Sequence, residues 1–249
     1  MVVQAQEGRL TTSRTRVLVA TAVPAERDAV ARALPGPARE VRVPGVTLHR
    51  TGEACDLLAA GVGPALAAAS VSAALASAAL SGDPYGLVVS TGIAGGFAPA
   101  APVGSLVVAD EITAADLGAE TADGFLPVTE LGFGAVTHRP PGSLVRETAA
   151  ATGALTGVVL TVSTVTGTAA RAAVLRELHP RALAEAMEGF GVAEAAAAHG
   201  VPVLEVRAVS NPVGPRDRDA WRIGTALAAL TTAFGKLTPV LESWNPHDR

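Results

Sequence analysis

The hydrophobic positions of the chain occur in short runs separated by alanine-rich stretches, a pattern that predicts strands alternating with helices. The opening run 16–21 is almost entirely apolar, which is typical of a strand buried on both faces. The alanine-rich stretch that follows Pro64 and ends near Leu80 predicts a helix. The same alternation predicts further strands at 46–49, 56–60, 87–90, 105–109, 158–163 and 201–210, and further helices at 25–34, 170–178 and 189–199.

One stretch near the end of the chain shows helical periodicity directly. From about 217 to 234, the apolar residues Ile223, Leu227, Leu230 and Phe234 fall at positions i, i+4, i+7 and i+11, which lie on one face of a helix. Together, these elements predict an α/β fold in which a mainly parallel or mixed sheet is covered by helices on both sides.

The chain shows no internal repeat and no long proline- or serine-rich linker, so we expect a single domain over residues 16–249. Residues 1–15 are polar with scattered charges and lack the apolar core of a secretory signal, and we interpret them as a flexible lead-in. Glycines and prolines between 116 and 141 predict a long loop region, where functional residues often lie.

The charge balance argues against a nucleic-acid partner. The sequence has 19 Lys and Arg residues against 23 Asp and Glu residues, a net charge of −4, and only 3% of its residues are aromatic. Neither a basic face nor an aromatic platform for stacking bases is expected, and a small molecule is the expected ligand. Hydrophobic residues make up 49% of the chain, which is enough to fill the core of a domain of this size.

Neither cysteine nor histidine is placed to form a disulfide or a metal site. Cys55 is the only cysteine, and the five histidines show none of the short spacings that metal sites favour. The cytoplasm is therefore the expected compartment. Two charge-free stretches, 57–82 and 84–109, are too interrupted by glycine and proline to form membrane-spanning helices, so no membrane partner is expected.

Ligands of α/β sheets bind beyond the carboxyl ends of the strands, so the candidate site lies in the segments that follow the predicted strands. Taken singly, these segments have ordinary structural explanations: Glu26 and Glu188 suit first helical turns, and Asn211 precedes a proline as in many turns. The glycines at 92–96 bring the backbone close either to a neighbouring strand or to a ligand, and the sequence leaves both explanations open. The candidate segments are 24–27, 61–64, 92–96, 187–188 and 210–218.

The turn from Gly61 to Gly63 is similar to the start of a dinucleotide-binding motif. However, Leu66 occupies the third small position of that motif, and no ribose-binding acid follows at a suitable place. Structural glycines before a helix are the better interpretation, and no cofactor is expected.

Five segments change this picture because of their order along the chain. They are Thr21-Ala-Val-Pro-Ala-Glu26, Gly61-Val-Gly-Pro64, Ser90-Thr-Gly-Ile-Ala-Gly-Gly-Phe97 followed by Val103-Gly-Ser-Leu-Val-Val108, Ala186-Met-Glu-Gly189, and Val206-Arg-Ala-Val-Ser-Asn-Pro-Val-Gly214. In this order the sequence resembles the purine nucleoside phosphorylase and nucleosidase superfamily over about residues 16–235, and within it most closely the futalosine hydrolases. The resemblance implies a three-layer α/β/α fold with a central twisted mixed sheet.

The resemblance also implies catalytic roles for three residues. It makes Glu26 the carboxylate that activates water at the anomeric carbon, Glu188 the acceptor for ribose hydroxyls, and Asn211 the residue that meets the purine edge. These residue types fit N-glycosidic cleavage, because anionic neighbours stabilise an oxocarbenium-like transition state and hydrogen bonds to the purine help it leave.

Five further residues are implied as substrate contacts. Met187 lies under the sugar, and Gly92 and Ile93 lie beside the substrate. Ile93 replaces a serine of the related methylthioadenosine nucleosidases, which removes a hydroxyl group near the sugar. Val23 and Trp221 line the pocket for the 5′ substituent, where the Trp221 ring either stacks on the benzoate of futalosine or only packs at the start of the last helix.

Two positions bear on which base is bound and which nucleophile attacks. The related methylthioadenosine nucleosidases have Asp at the position of Asn211, whereas an amide offers a donor for O6 and an acceptor for a ring N–H, so hypoxanthine is the expected base. The bacterial phosphorylases have Arg at the position of Glu26, and a carboxylate there repels phosphate by about 4 kcal/mol per unit charge at about 4 Å and an effective dielectric constant of about 20. Water is therefore the expected nucleophile, with the side chain of Arg27 expected to point away.

The resemblance and these two positions predict a hydrolase that needs no cofactor or metal ion. It releases hypoxanthine and dehypoxanthine futalosine from futalosine in menaquinone biosynthesis. Three alternatives remain open: a methylthioadenosine or adenosylhomocysteine nucleosidase, a purine nucleoside phosphorylase, and a nucleoside-binding protein without catalytic activity. The resemblance also implies a homo-oligomer, with a dimer expected.

Overall fold

The computed structural model of the protein describes residues 15–52 and 54–245. The flexible lead-in predicted at 1–15 therefore lies outside the described residues, apart from Thr15. The strands and helices are, in chain order, β1 (Val17–Thr21), α1 (Pro24–Ala31), β2 (Arg39–Val43), β3 (Val46–Thr51), β4 (Cys55–Ala59), α2 (Pro64–Leu80), β5 (Leu87–Gly96), β6 (Leu106–Ala114), β7 (Gly118–Thr121), β8 (Gly124–Pro127), β9 (Thr137–His138), α3 (Gly142–Thr152), β10 (Leu155–Thr161), α4 (Ala169–Leu178), β11 (Ala182–Ala186), α5 (Gly189–Ala198), β12 (Val203–Pro212) and α6 (Ile223–Ser243).

Ten strands of the described part of the chain form one mixed sheet. Their order is β11-β10-β6-β12-β5-β1-β4-β3-β2, and the short β9 pairs with β6. The pairs that β1 makes with β4 and β5 are parallel, as is the pair β5–β12, whereas β12 and β6 run antiparallel. β7 and β8 form a separate hairpin. The mixed sheet predicted from the sequence is therefore confirmed.

The sheet also closes on itself at one end. The last residues of β11 pair antiparallel with the last residues of β5, so that Glu185 lies opposite Gly95. On its other side, Gly95 pairs with Asn211 of β12. The carboxyl-terminal ends of three strands are thereby brought together, which is the place where α/β sheets bind ligands.

Helices cover both faces of the sheet. Leu18 and Ala20 of β1 belong to a core cluster that also contains buried residues of α2 and α5, whereas Val17 and Val19 belong to a cluster with residues of α3 and α6. This alternation follows from the two-residue period of a strand. The three-layer α/β/α architecture predicted from the sequence is confirmed.

The strand predicted at 87–90 extends farther than expected. β5 continues to Gly96, because the backbone of its glycine-rich half pairs with β12, with a shift of register between Val209 and Asn211. The prediction ended the strand at the first glycines, but ladder hydrogen bonds involve only backbone groups and do not require side chains. The strand predicted at 105–109 is likewise longer, since β6 continues to Ala114.

The last helix begins later and ends later than predicted. α6 starts at Ile223 rather than near 217, and it continues past Phe234. Leu237 and Leu241 extend the same buried face by further turns, so packing carries the helix beyond its predicted end.

Several elements were not predicted. The region 116–141, which was expected to be a long loop, contains the hairpin β7–β8 and the short β9. The strands β2 and β11 and the helix α3 were also missed. β2 and the hairpin are mostly exposed or half-buried, and such strands lack the apolar run by which buried strands are recognised.

Among the described residues, no helix combines the length and the apolar character needed to cross a membrane. The charge-free stretch 57–82 instead contains α2, which packs against α5, and the stretch 84–109 contains β5 and the start of β6. The buried residues of both stretches pack in the interior of the three-layer fold.

Candidate active site

A cavity of about 340 Å³ lies at the carboxyl-terminal ends of β1, β5, β11 and β12. Seven of the eight residues predicted from the sequence line it, although they come from distant parts of the chain. The eighth, Gly92, lies against the carboxylate of Glu26 and has no room for a side chain. The seven lining residues are Val23, Glu26, Ile93, Met187, Glu188, Asn211 and Trp221.

Glu26 is held by backbone donors from two elements. It lies in the first turn of α1, and its Oε2 accepts hydrogen bonds from the amides of Ala22 at 3.0 Å and Val23 at 3.2 Å. Its Oε1 accepts a third hydrogen bond, at 2.9 Å, from the amide of Ile93 in β5. The side chain is only 4% exposed. Three backbone hydrogen bonds therefore fix the position of this carboxylate.

The neighbouring glycine explains why this segment of β5 carries no side chain. A Cβ atom at Gly92 would lie 2.6 Å from Oε1 of Glu26 and 2.9 Å from Nη1 of Arg207, which is too close for either contact. Ile93, which replaces a serine of the related nucleosidases, contributes through its backbone amide instead of a hydroxyl group. The change of side chain therefore leaves the hydrogen bond to Glu26 in place.

Glu188 is positioned by the glycine turn that precedes α2. Its Oε1 accepts a hydrogen bond from the amide of Gly63 at 3.2 Å. Gly63 has a φ of 89°, a backbone conformation that residues with a side chain rarely adopt. Gly61 is needed for packing, since a Cβ there would lie 2.3 Å from Cδ2 of Leu66. The structural interpretation of this turn is therefore correct but incomplete, because the turn also contributes to the site.

Arg207 links the charged groups of the site, although the sequence motifs indicated no role for it. Its guanidinium is 1% exposed, with Nε donating to Oε1 of Glu205 at 2.8 Å and Nη2 donating to Oγ of Ser90 at 3.2 Å. Its Nη1 lies 3.5 Å from Oε2 of Glu188. A signal was present in the sequence: Glu205 and Arg207 share one face of an otherwise apolar strand, and buried charges are rare unless paired.

One guanidinium thus lies among three buried carboxylates, those of Glu26, Glu188 and Glu205. Burial raises the pKa of Glu26, and the amide of Ile93 and the charge of Arg207 only partly oppose this rise. Burial raises the pKa of Glu205 as well. A carboxylate with a raised pKa is a stronger base than an ordinary glutamate, which suits Glu26 to accept a proton.

Arg27 points away from the site, as expected from its position on α1. Its Nη2 lies 2.7 Å from Oδ1 of Asp28, and its Nη1 lies 2.9 Å from Nε2 of His49. It does not line the cavity. The carboxylate of Glu26 therefore faces the cavity without this neighbouring cation.

Asn211 and Trp221 also line the cavity. The Oδ1 of Asn211 accepts a hydrogen bond from Oγ of Ser210 at 2.8 Å, and its Nδ2 donates to the backbone oxygen of Pro212 at 3.1 Å. Trp221 is half-buried and precedes α6 instead of lying in it. The guanidinium of Arg216 lies over the indole ring, 5.2 Å from its centroid.

A fourth carboxylate of the cavity, that of Glu185, was not singled out from the sequence. The side chain is 5% exposed, and its Oε1 accepts a hydrogen bond from the amide of Thr166 at 2.8 Å while its Oε2 accepts one from the Thr166 hydroxyl. Burial raises the pKa of Glu185, and the two Thr166 donors oppose the rise. The signal was weak, because Glu185 stands in a short strand of small residues.

A larger cavity of about 730 Å³, lined by residues such as His138, Arg146 and Trp244, contains none of the predicted site residues. The smaller cavity is the candidate active site because it gathers the buried carboxylates and the perturbed pKa values. In the described part of the chain, no three His, Cys, Asp or Glu side chains are grouped so that they could hold a metal ion.

Comparison with known proteins agrees with this fold. A sequence model of the phosphorylase superfamily matches residues 16–240. The chain belongs to this superfamily. It is 78% identical to the futalosine hydrolase of Streptomyces coelicolor, over 94% of this chain and 99% of that protein. It is 47% identical to the futalosine hydrolase of Acidothermus cellulolyticus, over 88% of this chain and 89% of that protein.

Solved structures support the fold assignment of this superfamily member. The S-adenosylhomocysteine nucleosidase of Streptococcus pyogenes superposes with a TM-score of 0.78 at 19% sequence identity, over 93% of this chain and 99% of that one. At such low identity the match concerns the fold alone.

The pairing of Arg207 with Glu205 yields a stability prediction. We expect Arg207→Leu to lower the free energy of unfolding by about 3–5 kcal/mol, because it leaves Glu205 buried without a counter-charge. The double variant Arg207→Leu, Glu205→Leu should recover part of this loss, since both buried charges are then removed. Urea denaturation at neutral pH measures both effects.

Arg27→Leu is the matched control. Its side chain pairs with Asp28, which is 54% exposed, so the loss should stay below about 1 kcal/mol. If the double variant is less stable than the single variant, the charge pairing of Arg207 with Glu205 is not what stabilises this part of the fold.

Proposed function

We propose that the protein hydrolyses the N-glycosidic bond of futalosine and releases hypoxanthine and dehypoxanthine futalosine. The observation that carries this proposal is the presence of Glu26 and Glu188 on one cavity, one with a raised pKa and both held by backbone amides. The high identity to the futalosine hydrolase of Streptomyces coelicolor supports the choice of substrate.

In the proposed mechanism, Glu26 accepts a proton from a water molecule as the water oxygen attacks the anomeric carbon. The bond between this carbon and the purine nitrogen breaks, its electron pair goes to the purine, and the purine takes up a proton from solvent at a ring nitrogen, while Glu26 later returns its proton to solvent. Glu188 accepts hydrogen bonds from the ribose hydroxyls and places the sugar for attack. Positive charge that develops on the ribose is stabilised by the two carboxylates.

Water is favoured over phosphate as the nucleophile by the charges of the site. Glu26 and Glu188 both line the cavity, whereas Arg27 is turned toward Asp28 and His49. Arg207 is the nearest cation, but its guanidinium is buried against Glu205 and Glu188. A phosphate dianion beside Glu26 would be opposed by about 4 kcal/mol per unit charge at about 4 Å.

The remaining roles follow the resemblance. Asn211 meets the purine edge, Met187 lies under the sugar, and Val23 and Trp221 surround the 5′ substituent. We further propose that the reaction belongs to menaquinone biosynthesis in the cytoplasm, that it uses no cofactor, and that the protein acts as a homodimer. Residues 16–249 form one domain in this proposal, in line with the family match over 16–240.

The proposal is tested by incubating the protein with futalosine in phosphate-free buffer and measuring free hypoxanthine by chromatography. We expect release of hypoxanthine without phosphate, and a higher kcat/KM for futalosine than for inosine or methylthioadenosine. Release only after phosphate is added would make the protein a phosphorylase, and a preference for methylthioadenosine would make it a methylthioadenosine nucleosidase. Binding without turnover would make it a nucleoside-binding protein.

Glu26→Gln tests the general base. We expect kcat to fall by about 10²–10⁴-fold with little change in KM, because an amide cannot accept the proton of water. Glu40→Gln, at a glutamate that is 62% exposed, is the control and should leave kcat unchanged. In the native enzyme, activity should decline as the pH falls through the raised pKa of Glu26, because only the ionised carboxylate is a base. Unchanged turnover in Glu26→Gln would remove this residue from the mechanism.

Asn211→Asp tests the choice of base. A 6-amino purine places its donor against the donor of the Asn211 amide, and such unpaired polar groups lower kcat/KM by up to about 10⁴-fold. We expect the native enzyme to prefer futalosine to its 6-amino analogue, and Asn211→Asp to reduce that preference, since a carboxyl group accepts a hydrogen bond from an amino group. The measurement is kcat/KM for both nucleosides; a proportional loss for both would show that Asn211 does not select the base.

Trp221→Ala tests the pocket for the 5′ substituent. If the ring stacks on the benzoate of futalosine, its loss should raise KM for futalosine much more than KM for inosine, which has no such group. Steady-state kinetics with the two nucleosides decide the point. Equal increases for both would mean that Trp221 only supports the local packing.

A further inference from the structure

The proposed hydrolysis leaves one carboxylate of the cavity without a role. Glu185 is 5% exposed and lines the cavity with Asn211, but neither the attack of water nor the binding of ribose uses it. A buried carboxylate is costly unless its acceptor capacity is used. The question is therefore what the remaining acceptor sites of Glu185 face.

The pairing of the strands places Glu185 and Asn211 on either side of one glycine. Gly95 of β5 pairs with Glu185 of β11 on one side and with Asn211 of β12 on the other. Because adjacent strands lie about 4.8 Å apart, the two polar residues start about 9–10 Å from each other across the sheet. Paired residues of neighbouring strands point to the same face, so both side chains reach into the same cavity.

Gly95 places no side chain between them. A Cβ atom on this residue would lie 2.9 Å from Cγ2 of Val213 and 3.3 Å from Nδ2 of Asn211, so no side chain fits there without displacing a neighbour. The amide nitrogen of Asn211 thus lies over the glycine. Val213 and Asn211 therefore cover Gly95, and the Glu185 carboxylate and the Asn211 amide line the same cavity on either side of β5.

The hydrogen-bonding capacities of the two sides differ. Each oxygen of Glu185 accepts one hydrogen bond from Thr166, and a carboxylate oxygen has room for a second donor. The Oδ1 of Asn211 already accepts from Ser210, whereas its Nδ2 has a second hydrogen besides the one donated to Pro212. The Glu185 carboxylate can therefore accept a hydrogen bond from a ligand, and the Asn211 amide can donate one.

These capacities match one edge of a 6-oxopurine. Hypoxanthine has a donor at N1 and an acceptor at O6, whereas adenine has an acceptor at N1 and a donor on its 6-amino group. We propose that Glu185 is a base-recognition residue that accepts the N1–H of a 6-oxopurine while Asn211 donates to O6. This inference rests on the proposed function, since it takes the base of the bound nucleoside to lie in the part of the cavity that Glu185 and Asn211 line.

Glu185 also fixes the segment that contains Thr166, and this structural role has to be separated from base recognition. The two roles make different predictions. Loss of an anchor for the segment lowers activity for all substrates together, whereas loss of an acceptor for N1–H acts only on bases that carry this hydrogen.

The test compares kcat/KM for futalosine and for its 6-amino analogue in the native enzyme and two variants. In Glu185→Gln, we expect kcat/KM for futalosine to fall by about 10- to 100-fold, which is the effect of losing one hydrogen bond to a charged group. The value for the 6-amino analogue should not fall, because the side-chain amide introduced by this substitution can donate to its N1. The ratio of the two values is therefore expected to drop at least about tenfold.

Thr166→Val is the matched variant. It removes the hydroxyl contact to Glu185 but leaves the carboxylate, so any loss should affect both substrates equally and preserve their ratio. If Glu185→Gln also leaves the ratio unchanged, Glu185 is only an anchor and the inference is overturned.

A second measurement needs neither a variant nor turnover. Hypoxanthine and 1-methylhypoxanthine are each titrated into the native protein, and their binding is measured by calorimetry. The methyl group replaces the N1–H donor and adds bulk at N1, while the rest of the base is the same. We expect hypoxanthine to bind at least about tenfold more tightly. Equal affinities would overturn the inference even if Glu185→Gln fails to fold. Failure of the proposed function is a separate outcome, namely selective hypoxanthine binding without cleavage of futalosine.

Discussion

Burial of like charges is the constraint on which the candidate site depends. Glu26, Glu188 and Glu205 are each less than a tenth exposed, and they surround the single guanidinium of Arg207. Removing a charge from water costs several kcal/mol unless partners replace the lost hydration. Backbone amides supply much of this replacement at Glu26 and Glu188, so the positions of these carboxylates follow from the path of the chain.

The path of the chain is in turn set by small residues. Gly92 allows the carboxylate of Glu26 to approach β5, and Gly63 turns its amide toward Glu188. Gly95 lies between β11 and β12 where the sheet closes, and its missing side chain leaves room for Val213 and for the amide of Asn211. The glycine-rich segments thus allow neighbouring groups to approach the backbone closely. The polar side chains, in turn, are brought to the cavity by the pairing of neighbouring strands.

The sequence predicted the parts of the structure that local pattern determines. Continuous apolar runs indicated the buried strands, and Pro64 with the alanines after it indicated α2, whose bounds are as predicted. Eight site residues were named through ordered motifs, and the structure brings them to one place, although their roles remain proposals. Arg207 and Glu185 were missed because their importance depends on partners distant in sequence, such as Ser90 and Thr166. The end of β5 was misplaced because its pairing with β12 is equally non-local.

In the proposed mechanism, the arrangement of charge explains how a site with several carboxylates promotes a reaction instead of only binding a sugar. The neutral ribose of the bound nucleoside gains little from an anionic surrounding, but the oxocarbenium-like transition state carries positive charge and gains a great deal. Interactions that strengthen only in the transition state raise kcat, whereas uniform binding does not. Because Glu26 and Glu188 are held in place before the substrate binds, little reorganisation is needed when this charge develops. Arg207 limits the mutual repulsion of the carboxylates from behind, where its guanidinium is buried and does not face the developing cation.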